Sequence, residues 1–149
     1  MNERVILLVE DNANDEVLTL RAFEKNNIVN PVVVARDGVE ALDYLFGTGA
    51  YIGRDARILP ELVLLDLNLP KVNGHEVLRR LRADMRTRRV PVVVLTTSQE
   101  EVDVVASYDH GANGFVRKPV DFLEFVELVR TLGQYWLRVN VSPTQRPGA

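Results

Sequence analysis

The stretch "ELVLLDLNLPKVNG", residues 61–74, decides the fold. Five of its first seven residues are Leu or Val, yet Asp66 stands among them. A short, near-continuous run of leucine and β-branched side chains suits a strand buried on both faces of a parallel sheet. The carboxylate that closes the run then lies at the strand's carboxyl end, where open α/β sheets place their chemistry. Four more runs of this kind flank it: "RVILLVED" (4–11), "PVVVARD" (31–37), "VPVVVLTTS" (90–98) and "NGFVRKP" (113–119). Helical patterns over about 14–27, 38–46, 74–85, 99–110 and 120–138 alternate with them. Strict β-α alternation implies a doubly wound α/β fold, a five-stranded parallel sheet with helices on both faces and right-handed crossovers.

Local signals mark where these helices begin. Asp37-x-x-Glu40, Asn73-x-x-Glu76, Ser98-x-x-Glu101 and Asp121-x-x-Glu124 each read as a capping box, and Asp11 or Asn12 opens the first helix. Gly111 and Asn113 stop the fourth. Residues 46–60, "FGTGAYIGRDARILP", carry three glycines and read as a long connection. The expected organisation is one domain over 1–138 followed by a polar, mobile tail over 139–149.

Composition excludes several function classes. The 149 residues include no cysteine, which removes disulfide, thiol and zinc-ribbon chemistry. The N-terminal apolar run is too short for a signal segment or a membrane span, so a cytoplasmic protein is expected. A net charge of -3 argues against general nucleic-acid or membrane binding. Arginines 79, 80, 82, 86, 88 and 89 form a basic cluster, but several fall near a helix C-terminus, where cations complement the dipole. His75 and His110 read as surface residues rather than phosphocarriers.

The polar residues at the strand ends share one edge of the sheet. They are Glu10 and Asp11, then Asp66, then Thr96 and Thr97, then Lys118. Taken singly, each has a plain reading as a cap, a strand end or a surface lysine. Together they put three carboxylates, a hydroxyl and an ammonium in one place. Carboxylates so close repel unless a cation joins them. Mg²⁺, a hard ion that keeps several waters, suits such a donor set. With the lysine it balances the three carboxylates and readies the site for a phosphoryl group.

From about residue 4 to 130 the sequence resembles the receiver domain of bacterial two-component response regulators. The resemblance rests on "VEDN", "LLDLNLPKVNG", "VVLTTS" and "FVRKP", in order and with matching spacing. It implies a flavodoxin-like sheet of strand order 2-1-3-4-5. It implies that Asp66 is the phosphoacceptor, taking a phosphoryl group from a sensor histidine kinase. Glu10, Asp11, Asp66 and the backbone carbonyl of Asn68 would hold Mg²⁺, with Mn²⁺ or Ca²⁺ as substitutes in crystals. Lys118 would contact the phosphoryl oxygens, Thr96 and Phe115 would act as the switch, and the Lys118–Pro119 bond would be cis. Such a protein is no enzyme in the ordinary sense, although it assists its own phosphorylation and dephosphorylation. Thr97, where many receivers have a small residue, is expected to narrow access to the phosphoryl site. The 46–60 connection together with "YLFGTG", "LLDLNLPK" and "VVLTTS" resembles the single-domain regulators of phytochrome-type kinases.

Signalling is expected to pass through protein contacts, including a homodimer through the fourth helix, fifth strand and fifth helix. Val104 and Tyr108 on one helix and Leu128 and Tyr135 on the other are its expected interface residues, while Val102, Val105 and Ala106 are expected in the core. Phe122, Phe125, Val129, Leu132 and Trp136 should face the sheet, with Leu137 and Val139 beyond the domain edge. Three alternatives remain: a receiver-like scaffold that is never phosphorylated, an aspartyl-nucleophile phosphatase, and a flavodoxin-like electron carrier. The phosphatase reading requires a second aspartate where Asn68 stands, and the flavin reading a glycine- and hydroxyl-rich loop where "EDNAND" stands.

Overall fold

A computed structural model describes residues 4–143. Its elements alternate as β1 (Ile6–Val9), α1 (Ala13–Lys25), β2 (Val32–Ala35), α2 (Gly38–Phe46), β3 (Leu62–Leu65), α3 (Gly74–Ala83), β4 (Val92–Thr96), α4 (Glu101–Asp109), β5 (Gly114–Arg117) and α5 (Phe122–Gln134). The five strands form one sheet, all pairs parallel, in the order β2-β1-β3-β4-β5. The strand order reverses at β1, which leaves a crevice beyond the carboxyl ends of β1 and β3.

Strand residues alternate between two cores, as the two-residue period of a strand demands. Leu7, Val9, Val63, Leu65, Val92 and Val94 pack with α2 and α3 through Ala41, Leu45, Val77, Leu78 and Leu81. Ile6, Leu8, Leu62, Leu64, Val93 and Leu95 pack with α1 and α5 through Ala22, Phe23, Phe125, Val129 and Leu132. Every residue of β1, β3 and β4 is buried, which is why those three runs are apolar up to Thr96 at the end of β4. On α5 the expected sheet face is the observed one, with Phe122 half-buried at its start and Trp136 half-buried just beyond its end.

Four helices carry the side-chain cap expected of their first residues. Asn12, Asp37, Asn73 and Asp121 each accept a backbone N–H from three residues on. The Ser98 box does not form. The cap of α4 is Glu100, which makes no side-chain bond, because the Ser98 hydroxyl is turned to Asp103 instead. The faces of α4 also differ from expectation. Val102 and Val105 are exposed and Ser107 is fully buried, so the helix turns Ser107 inward along with Asp103, which pairs with His75 on α3.

The 46–60 connection folds back on α2. It contains a 3-10 turn (Gly49–Tyr51) and is held by Arg54, whose guanidinium lies 4.1 Å from the centre of the Tyr44 ring. Arg54 donates to the carbonyls of Tyr44, Leu45 and Ile58, so one side chain closes both the end of α2 and the loop. Beyond α5 the chain makes a π-helical turn (Tyr135–Val139), in which Leu137 is buried and its carbonyl accepts from Arg4. Ser142 is buried as well, while residues 144–149 of the expected tail lie outside the described residues.

Candidate functional site

Hydrogen bonds of the ladder run one residue past the strands and fix the site. Glu10 N–H donates to the Ala35 carbonyl, Asp66 N–H to that of Val9, and Lys118 N–H to that of Thr96. Each site residue is thereby tied to the neighbouring strand before its side chain makes any contact.

The side chains then converge. The Lys118 ammonium donates to Glu10 Oε1 at 2.5 Å, to Asp66 Oδ2 at 2.9 Å and to Asp15 Oδ2 at 2.9 Å. The Thr96 hydroxyl donates to Asp66 Oδ1 at 2.9 Å, and the Asn68 N–H donates to the same oxygen at 3.1 Å. Glu10 Oε2 accepts from the Asn12 N–H. The carboxylates of Glu10, Asp11 and Asp66 offer oxygens within 4.8 Å of one another. Glu10, Asp66 and Thr96 are buried, and Asp11 faces solvent.

Two shifts in acidity report the balance of charge. Burial pushes the Glu10 carboxyl up to about 7, the Asp66 charge pushes the same way, and Lys118 offsets only part of this. Burial alone would lower the Lys118 ammonium, but its bonds to Asp66 and Glu10 outweigh that and hold it above the ordinary lysine value. Both shifts favour a bound proton. The pocket holds more negative charge than one ammonium balances. An all-oxygen donor set with surplus negative charge fits a hard divalent cation. The carboxylates of Glu10, Asp11 and Asp66 are the groups in place to hold it.

The structure thus brings together Glu10, Asp11, Asp66, Asn68, Thr96 and Lys118. Phe115 sits apart, half-buried against the core on the α2–α3 side. The expected cis bond at Lys118–Pro119 is a correction: no peptide bond among the described residues is cis. The trans form is the lower in energy even before proline, and Lys118 reaches all three carboxylates with it. Asp15 was missed by the sequence reading. It supplies a fourth carboxylate from the first turn of α1, and its place four residues after Asp11 was the available signal. His75 is not a plain surface residue, since it is half-buried and paired with Asp103 at 3.0 Å. The arginine cluster is largely spent internally: Arg79 and Arg80 on Glu76, Arg86 on Asp84, and Arg82 on backbone carbonyls.

Of the expected interface residues, Tyr108 and Tyr135 are about half exposed. Val104 and Leu128 are half-buried, and Leu128 packs against the α1–α5 core. Among the described residues, no helix is long and apolar enough to cross a membrane.

A buried carboxylate ringed by an acidic pair, a hydroxyl and a lysine at the carboxyl edge of a 2-1-3-4-5 sheet is the arrangement of a receiver. The family model for the response regulator receiver domain matches residues 6–130, and the chain belongs to that family. It is 44% identical over 142 residues to the probable methanogenesis regulatory protein FilR2 of Methanothrix harundinacea, covering 93% of this chain and 87% of that one. The bacteriophytochrome response regulator AtBRR is 55% identical, with a TM-score of 0.73 over 87% of this chain and 92% of its own. Response regulator Rcp1 of Synechocystis sp., in its Mn²⁺-bound crystal form, is 37% identical with a TM-score of 0.85, over 94% and 99% of the two chains.

Proposed function

We propose that Asp66 accepts a phosphoryl group from a phosphohistidine of a sensor histidine kinase, in a reaction that depends on Mg²⁺. The observation that carries this reading is the placement of Asp66. One carboxylate oxygen is held by Lys118, the other by Thr96, and two more acidic groups stand beside it. In the transfer, an Asp66 oxygen forms the new O–P bond as the N–P bond breaks and its electron pair leaves with the imidazole. Lys118 neutralises oxygen charge on the incoming group. Mg²⁺ held by Glu10, Asp11 and Asp66 would supply further charge stabilisation to the transfer. Thr96 moves its hydroxyl from Asp66 to the phosphoryl group, and Phe115 changes rotamer in response. The same site assists hydrolysis of the aspartyl phosphate.

The partner kinase is of the phytochrome type, a reading supported by the likeness to AtBRR. The protein acts in the cytoplasm, through protein contacts, and binds neither nucleic acid nor membrane. Those contacts include a homodimer through α4, β5 and α5. Exposed Val102, Val105 and Tyr108 give this surface its apolar character on α4. A single monomeric species in light scattering at tens of micromolar, with and without phosphorylation, would remove the dimer from this proposal.

The phosphoacceptor reading is tested with acetyl phosphate and Mg²⁺, read by intact mass on the wild type and Asp66→Asn. One added phosphoryl group that requires both Mg²⁺ and Asp66 is the expected result. No addition from acetyl phosphate or from a panel of phosphorylated kinases would leave a scaffold of receiver fold.

A further inference from the structure

α4 is held at its first turn by polar links rather than by apolar packing. Ser107 is its one fully buried residue, Val102 and Val105 face solvent, and Glu100 gives the helix no side-chain cap. What fixes the first turn is Asp103. Its Oδ2 accepts from the Ser98 hydroxyl at 2.5 Å, and its Oδ1 pairs with His75 Nε2 at 3.0 Å. A carboxylate only accepts, so Nε2 carries the proton. His75 is the second residue of α3, so this pair fastens α4 to the helix that follows the phosphoacceptor strand.

The link continues to the site. The Ser98 hydroxyl accepts from the Glu100 N–H at 3.3 Å, which folds the β4–α4 loop around it. The Ser98 N–H donates to Thr96 Oγ1 at 3.4 Å, and that hydroxyl donates to Asp66 Oδ1 at 2.9 Å. Asp66 Oδ1 is therefore engaged by two donors, Thr96 and the Asn68 N–H. The Ser98 N–H contact thus ties the position of the Thr96 hydroxyl to the loop that Asp103 holds.

We infer that His75, Asp103 and Ser98 form a latch that holds the β4–α4 loop and Thr96 in the resting position, and so set how readily Asp66 is phosphorylated. The three are positioning residues, and the inference rests on Asp66 being the phosphoacceptor. An opened latch lowers the cost of moving Thr96 and favours the phosphorylated arrangement.

The test uses the full chain with acetyl phosphate and Mg²⁺, and compares wild type with Ser98→Ala, Asp103→Ala, His75→Ala, His75→Gln and Glu101→Ala. Glu101→Ala removes an acid from the same helical turn without touching the latch, and Gln can still donate to Asp103. Hydrogen exchange of amides 97–103 is followed in the same samples, without phosphodonor. Ser98→Ala and Asp103→Ala are expected to speed both loop exchange and phosphorylation, each by about three- to tenfold, a loss on the scale of one hydrogen bond. His75→Ala should do so less, while His75→Gln and Glu101→Ala behave as wild type. Phosphorylation rates of Ser98→Ala and Asp103→Ala that match wild type, or equal acceleration by Glu101→Ala, would overturn the latch. If Asp103→Ala fails to fold, the His75 pair and Ser98→Ala decide the question by the same criterion. A wild type that takes no phosphoryl group from acetyl phosphate or from the panel of phosphorylated kinases, while loop exchange still responds to Ser98→Ala, refutes the phosphoacceptor reading, and the latch's control of phosphorylation with it.

Discussion

Gly38, the first residue of α2, lies so close to Val72 that a Cβ on it would meet Val72 Cβ at 2.6 Å and the Val72 carbonyl oxygen closer still. Val72 belongs to the loop between β3 and α3, which also carries Asn68. The loop is pinned from the same side by Lys71, at φ 67°, whose ammonium is 3.4 Å from Asp37. The start of α2 therefore sets the position of a proposed metal-binding carbonyl. Gly38→Ala must displace the loop, at a cost of about 1–3 kcal/mol for overpacking against backbone. It should also weaken Mg²⁺ binding, read as a smaller rise in Tm on adding Mg²⁺. A variant with wild-type stability and Mg²⁺ response would show that the loop gives way freely.

Lys118 faces three carboxylates with its own side chain only 3% exposed. Removing it leaves buried negative charge with no partner, the costly half of breaking a buried pair. Lys118→Met is expected to lose about 2–4 kcal/mol of stability in metal-free buffer, less than a full buried-pair loss because Glu10 takes up a proton readily. Millimolar Mg²⁺ should recover much of that loss, since ligand bound to the folded state stabilises it by mass action. Urea unfolding with and without Mg²⁺ measures both. Equal midpoints for variant and wild type without metal would mean that Lys118 does not balance the pocket.

The sheet and most of the site were legible because they depend on the same signal. An apolar run that ends in a polar residue marks both a buried strand and a strand's carboxyl edge, and Glu10, Asp66, Thr96 and Lys118 were all found that way. α4 was not legible. Val102, Val104, Val105 and Ala106 leave no clean apolar stripe, and the inward side carries Asp103, a polar residue whose partner on α3 no local pattern announces. Asp15 was hidden for a related reason: an acid in the first turn of a helix already has an explanation in the helix dipole. His75 and Asp103, 28 residues apart, meet only because α3 and α4 are packed side by side. Ser98 was read as a cap, since a serine three residues before a glutamate looks the same whether its hydroxyl serves the helix backbone or a neighbouring carboxylate.

Arg82 stabilises the half of the molecule away from the site. Its guanidinium donates to the carbonyls of Gly111, Arg88 and Val90 and to Asn113 Oδ1, so one planar fork closes the turns on both sides of β4. Lysine cannot serve acceptors spread over that arc. Arg82→Lys and Arg82→Ala should each cost roughly 2–3 kcal/mol, the penalty for carbonyls left without a donor. The rate of phosphorylation in the variant that remains folded should stay at the wild-type value. A stability change below about 0.5 kcal/mol, the range of ordinary surface substitutions, would show that water replaces the guanidinium.

Asp103 should leave a signature in the acid limb of stability. Its hydrogen bonds with Ser98 and His75 hold its carboxyl below the ordinary value of 3.8 in the folded protein. In the unfolded chain the group therefore takes up its proton first as pH falls. Its contribution is complete well above pH 3.8, shrinks as pH drops through the unfolded and then the folded value, and is gone below both. Asp103→Asn keeps the shape of the side chain and removes the charge. Wild type should exceed Asp103→Asn in Tm near neutral pH, and the two curves should converge below pH 3.8. Thermal unfolding of both proteins, at steps across the acid range and at constant ionic strength, measures the convergence. A gap that stays constant with pH would mean that Asp103 holds the first turn of α4 by shape alone, with no contribution from its charge.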